Sequence, residues 1–155
     1  MTATAQRLFP VAGLLVALLA TGVAARAWQG ERLFAEGKAA QRRGLFNAAD
    51  AAYRGASERG SAAAAAELAR LELLRRDWAG AAGSLRVAMA LAPTRSLPHV
   101  LMAELEASAP GPWDGAREER ALEACRIAES LEPLSDDIRR RCEGVAGALA
   151  GRRRD

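Results

Sequence analysis

The run Gly44-Leu45-Phe46-Asn47-Ala48-Ala49-Asp50-Ala51-Ala52-Tyr53-Arg54-Gly55-Ala56 returns 32 positions later as Arg76-Asp77-Trp78-Ala79-Gly80-Ala81-Ala82-Gly83-Ser84-Leu85-Arg86-Val87-Ala88. The small residues Gly37, Ala49 and Ala56 are answered by Ala69, Ala81 and Ala88. Between them Phe46 answers to Trp78, Tyr53 to Leu85, and Ser61 falls where Pro93 falls. Self-similarity at such a period marks stacked structural units, each unable to bury its apolar face alone. A third segment carries Ala103, Ala121, Ala128 and Pro133, with Cys125 in the slot of Tyr53 and Leu85. Its extra residues fall in Ser108-Ala109-Pro110-Gly111-Pro112-Trp113, where two prolines and a glycine predict a loop.

Composition makes these units helical. Ala supplies 38 of the 155 residues whereas Val, Ile and Thr together supply 12, so helix formers far outnumber strand formers. Asn47, Asp77, Ser96, Asp114 and Ser135 each precede a helical run and are read as N-caps. After Pro133, the run from Ser135 to Leu149 opens with two acidic residues and forms a seventh helix, the solvating end of the stack.

The offsets resemble the tetratricopeptide repeat (TPR) family, in Gly44 to Ala49 through Tyr53 to Ala56, and in Asp77 to Ala81 through Leu85 and Ala88 to Pro93. The physical content of the pattern is a small residue where two antiparallel helices approach, a large apolar one filling the gap beside it, and a proline closing the second helix. The period of 32 is two short of the family's usual 34, and Glu118 stands where the third unit should carry an aromatic. The resemblance implies an all-α fold: a short solenoid of three helical hairpins over 28–134 (about 30–61, 62–95 and 96–134), a capping helix over 135–150 and a basic tail over 151–155.

The N-terminal 27 residues read differently. Leu8 to Ala25 carries no charge and is rich in Leu, Val and Ala. At about 1.5 Å per residue it reaches roughly the thickness of a bilayer core, so a transmembrane helix is expected there. Ala25-Arg26-Ala27 also has the small-x-small form of a cleavage site, which leaves release as a soluble exported protein after Ala27 as the alternative. The anchor reading places the chain in a bacterial inner membrane, single-pass, with the folded domain in the periplasm. The positive charges behind the segment, from Arg26 to Arg43, argue for the opposite, cytoplasmic orientation.

Function must then reside in surface rather than in chemistry. The single histidine, His99, has no acid, base and nucleophile set around it in the sequence, and the two cysteines lack companion metal ligands. No catalytic residue, cofactor, metal or small-molecule ligand is predicted, and the chain is read as non-enzymatic. Setting aside Arg7 and Arg26, the remaining 20 basic residues face 19 acidic ones, so nucleic acid is not an expected partner. In TPR proteins the first helix of every unit lines a groove that receives a peptide or a helix. By position that face would comprise Phe34, Lys38, Gln41, Arg70, Leu73, Val100 and Glu104. The resemblance implies a protein-interaction adaptor or scaffold of the cell envelope, similar to small membrane-tethered TPR proteins of bacteria. The alternative is a structural accessory subunit of a multisubunit membrane complex.

One covalent feature follows from hairpin geometry. Glu132-Pro133-Leu134-Ser135 forms a turn, and Cys125 and Cys142 stand at about equal distance from it. Cys125 occupies a seam position, and Cys142 lies on the apolar stripe of Ile138 and Val145. A disulfide is expected in an oxidising compartment, and two packed thiols in a reducing one.

Overall fold

A computed structural model describes residues 5–111 and 114–152, excepting the side chains of residues 5–19. Pro112 and Trp113 of the expected loop, and residues 153–155 of the basic tail, lie outside the described residues. The described chain is helical: α1 (Ala5–Arg42), α2 (Phe46–Ser57), α3 (Ala62–Leu74), α4 (Trp78–Leu91), α5 (Ser96–Ser108), α6 (Gly115–Leu131) and α7 (Asp136–Arg152). Three antiparallel hairpins, α1–α2, α3–α4 and α5–α6, stack side by side, and α7 packs on α5 and α6. Helices α3, α5 and α7 touch in sequence and build one layer.

The core follows the small-and-large pattern. Ala49, Tyr53 and Ala56 are fully buried in the first unit, Ala81, Leu85 and Ala88 in the second, and Ala121 and Ala128 in the third, with Cys125 6% exposed. Gly37 shows why the first member must be small: a Cβ there would lie 2.5 Å from Cε1 of Tyr53. Its counterparts Ala69 and Ala103 carry that methyl group and share their core clusters with the smaller Leu85 and Cys125. The gap-filling aromatic residues that open α2 and α4 are less enclosed than the pattern predicts, since Phe46 is 49% exposed and Trp78 half-buried.

Three helix ends are capped as their residue types dictate. Asp77 Oδ1 accepts from the Gly80 amide at 2.9 Å, Asp114 Oδ1 from Arg117 at 2.7 Å, and Ser135 Oγ from Ile138 at 3.4 Å. Ser61, aligned in sequence with a helix-closing proline, instead caps α3 by accepting from Ala64 at 3.3 Å. Asn47 and Ser96 are not caps. Asn47 lies inside α2 and accepts from Arg75 at 3.1 Å, while buried Ser96 opens α5 and its hydroxyl donates to Glu132 at the end of α6. Each side chain thus joins two helices instead of serving its own helix.

A polar seam fastens the first two units. Asp50 takes Arg54 at 3.0 Å and also the Arg75 guanidinium; Glu72, only 4% exposed, accepts from Ser84 Oγ at 2.6 Å. Burial raises the Glu72 carboxyl above its ordinary range, and the Ser84 bond and Arg54, 3.6 Å away, oppose that rise.

The N-terminal segment requires a correction. Among the described residues no helix is long and apolar enough to cross a membrane, which overturns the expected transmembrane helix over Leu8–Ala25. The segment is no separate element: α1 runs unbroken through Ala25-Arg26-Ala27 into the first hairpin. A span needs about twenty consecutive, predominantly apolar residues. From Ala20 onward, where side chains are described, α1 meets Arg26 within a few residues and then Glu31, Arg32, Glu36 and Lys38. The side chains of residues 8–19 lie outside the described residues. The single-pass inner-membrane placement rested on that span and is corrected with it.

Candidate functional site: the groove of α3, α5 and α7

A solenoid of hairpins leaves one face of its inner helices without a covering layer. Residues three and four apart on a helix share that face. On α3 these are Arg70, Leu73 and Leu74, and on α5 they are Leu101, Glu104 and Ser108. With Trp78 at the start of α4 and Arg141 of α7 they line a pocket of about 340 Å³. Leu74 is 76% exposed at its edge, a large apolar side chain held in water immediately beside a cationic one.

The charges of the pocket differ in what holds them. Arg141 forks onto Glu104, with Nε and Nη2 at 2.8 and 3.0 Å from the two carboxylate oxygens. That bidentate pairing raises the Arg141 pKa and fixes the guanidinium in place. Arg70 contacts Glu67 one turn away at 3.4 Å, with its side chain 53% exposed, a geometry too loose to consume its charge. One anchored ion pair and one loosely paired cation therefore flank an apolar strip of Leu73, Leu74 and Trp78.

A second cluster sits beside it on the first hairpin. Phe34 and Tyr53 meet with ring centroids 5.8 Å apart, Lys38 Nζ lies 5.5 Å from the Phe34 centroid, and the Tyr53 hydroxyl donates to Gln41 Oε1 at 2.6 Å. Burial raises the Tyr53 pKa first of all, Glu67 adds to the rise, and Arg42 and Arg70 oppose it. Tyr53 and Phe34 pack in one core cluster with Leu68 and Leu71 of α3, the helix that carries Arg70, which makes the two clusters neighbours.

Of the seven residues assigned to the groove by position, Arg70, Leu73 and Glu104 come together in the pocket, and Phe34, Lys38 and Gln41 form the adjoining cluster. Val100 does neither. It is fully buried in the core shared by α5, α6 and α7, and Leu101, one residue on, reaches the pocket wall. Sequence reasoning also missed Arg141, because it belongs to the capping helix and not to any repeat. The available signal was its place three residues after Ile138, at the margin of the α7 apolar stripe.

A larger cleft of about 590 Å³ opens between α4, α5 and α6, lined by Met89, His99, Glu123 and Ile127 among others. Its arginines are engaged: Arg120 forks onto Glu106 at 3.1 and 3.3 Å, and Arg126 meets Glu123 at 2.8 Å. His99 Nε2 faces the Pro93 carbonyl at 3.4 Å. Among the described residues no three His, Cys, Asp or Glu side chains gather as a metal site.

No protein-family model matches the chain, and no curated protein matches it in sequence. Solved structures do match. The TPR domain of Arabidopsis OM64 superposes with a TM-score of 0.65 at 18% identity, over 79% of this chain and 98% of that one. The first TPR of Spaghetti (RPAP3), bound to the HSP90 peptide SRMEEVD, gives 0.67 at 15% identity over 80% and 98%. The first TPR domain of human RPAP3 gives 0.68 at 15% identity over 82% and 97%. At these identities the likeness establishes the fold: a TPR-like helical solenoid.

Proposed function

We propose that the chain is a non-enzymatic protein-interaction module that receives an extended peptide or a helix in the groove of α3, α5 and α7. The observation that carries this reading is the pocket itself, where Arg70, exposed Leu74 and the Trp78 ring stand next to a pre-paired Arg141–Glu104 fork. Such a lining offers an apolar side chain a seat and a carboxylate a cation, which suits a short acidic and apolar segment. One of the structural neighbours was solved with a peptide bound, which makes the fold a reasonable carrier for this role. The basic and asparagine set that grips a terminal carboxylate in chaperone-binding TPR proteins is matched here only by Lys38 and Arg70, so the ligand is proposed to be an internal segment.

The test is selection of random peptides against the full chain, followed by affinity measurement on Arg70→Glu combined with Leu73→Asp. Arg70 is exposed whereas Leu73 is half-buried against the core of the second unit, so binding is compared at a temperature at which circular dichroism shows the variant folded. Selected peptides should bind that variant at least tenfold more weakly, about 1.4 kcal/mol. Equal binding by a well-folded variant would remove the groove assignment.

A further inference from the structure

Among the described residues, helix α7 alone contributes to the groove from outside the repeats, and it does so through Arg141, the residue immediately before Cys142. Cys142 is 6% exposed, and its Sγ lies 3.9 Å from the carbonyl oxygen of Cys125 across the α6–α7 seam. Cys125 is equally buried, and both belong to one core cluster with Ala128, Ile138, Val145 and Leu149. The thiols are unbonded in this structure. Two cysteines that share one buried cluster across adjacent antiparallel helices stand in the arrangement from which a disulfide forms, which requires a Cα separation of about 4.4–6.8 Å.

We propose that Cys125 and Cys142 are a disulfide-forming pair whose closure latches α7 to α6 and so holds Arg141 at the wall of the groove. A disulfide donor such as oxidised glutathione supplies the oxidant. One cysteine thiolate attacks the donor and expels a glutathione thiolate; the second cysteine then attacks the protein sulfur of the mixed disulfide and expels another. Two protein thiols lose two electrons and two protons; the donor takes up the electrons as two expelled thiolates, which the two protons, passed through solvent, convert to thiols. Burial pushes both thiols above their ordinary pKa, so the docked pair holds little thiolate and is closed off from reagents. The bridge therefore forms before α7 docks or while it is undocked, and the folded, reduced domain is slow to oxidise.

The test does not depend on what the groove binds. The full chain is reduced, denatured, and refolded in a buffer of oxidised and reduced glutathione, then alkylated under denaturing conditions. The expected product is a monomer that has lost two hydrogens, with the Cys125 and Cys142 peptides linked; Cys142→Ser yields none. Amide exchange in α7 between Asp136 and Cys142 should be roughly a hundredfold slower in the bridged chain than in the reduced one. Two free thiols, mixed disulfides or intermolecular dimers as the refolded product would overturn the pairing. A bridge that forms but leaves α7 exchange unchanged or faster would overturn the latch.

Discussion

At the scale of single residues, the contact between Gly37 and Tyr53 carries the most information. The tyrosine ring occupies the space in which any other residue at position 37 would place its Cβ, 2.5 Å from Cε1. Gly37→Ala is therefore expected to destabilise the chain by about 1–3 kcal/mol, the usual result of adding a methyl to a filled core. The second unit shows how that strain is relieved, because Ala69 shares its core cluster with Leu85, which has no ring. In a Tyr53→Leu background the same substitution should cost about 1 kcal/mol less, measured as the coupling term of a double-mutant cycle in urea. Additive costs would show that position 37 acts through the helix backbone and not through the ring.

At the scale of elements, the helix ends separate what is local from what is not. Gly44 and Gly60 both follow helices with positive φ, +74° and +93°, and each lets two amides close back onto the preceding turn. Arg76 stands 32 positions after Gly44 in the same geometry, at φ +60°, with Arg76 N on Leu73 O and Asp77 N on Glu72 O. A side chain in the left-handed region costs on the order of 1–2 kcal/mol, part of which glycine gives back as entropy in the unfolded chain. Arg76→Gly is accordingly expected to raise stability by roughly 0.5–1 kcal/mol, read from the urea midpoint with the slope unchanged. A drop in stability would mean that the Arg76 side chain makes a contact worth more than its backbone strain.

At the scale of the whole molecule, a stack of hairpins distributes stability by neighbours. The first unit meets the second through α2 and α3, and the third meets α7; no contact joins α1 or α2 to α6 or α7 among the principal packings. In such an array, damage is felt in a unit and its immediate neighbour. The Gly37→Ala variant should lose amide protection in α1 and α2, less in α3 and α4, and least in α6 and α7. A uniform loss along the chain would show that the solenoid opens only as one unit.

Much of this fold was legible in the amino-acid order because its rules are local. A small residue and a large one 16 positions apart, Gly37 with Tyr53 or Ala69 with Leu85, specify a hairpin whatever surrounds it. Asp77, Asp114 and Ser135 cap their helices for equally local reasons. The lining of the groove was legible in part, since Arg70, Leu73 and Glu104 follow from repeat position alone. What the sequence could not decide was anything requiring two elements to be placed together. Asn47 and Ser96 look like caps until Arg75 and Glu132 arrive from other helices and claim them. Val100 and Leu101 are adjacent apolar residues, and only the rotation of α5 against α6 and α7 makes one core and the other pocket wall. The uncharged run at the N-terminus suggested a bilayer span by hydropathy, whereas in the fold it enters a 38-residue helix whose charged half packs on α2. Arg141 shows the same division: its partner Glu104 lies 37 positions away, and only the docking of α7 onto α5 brings the two charges to hydrogen-bond distance.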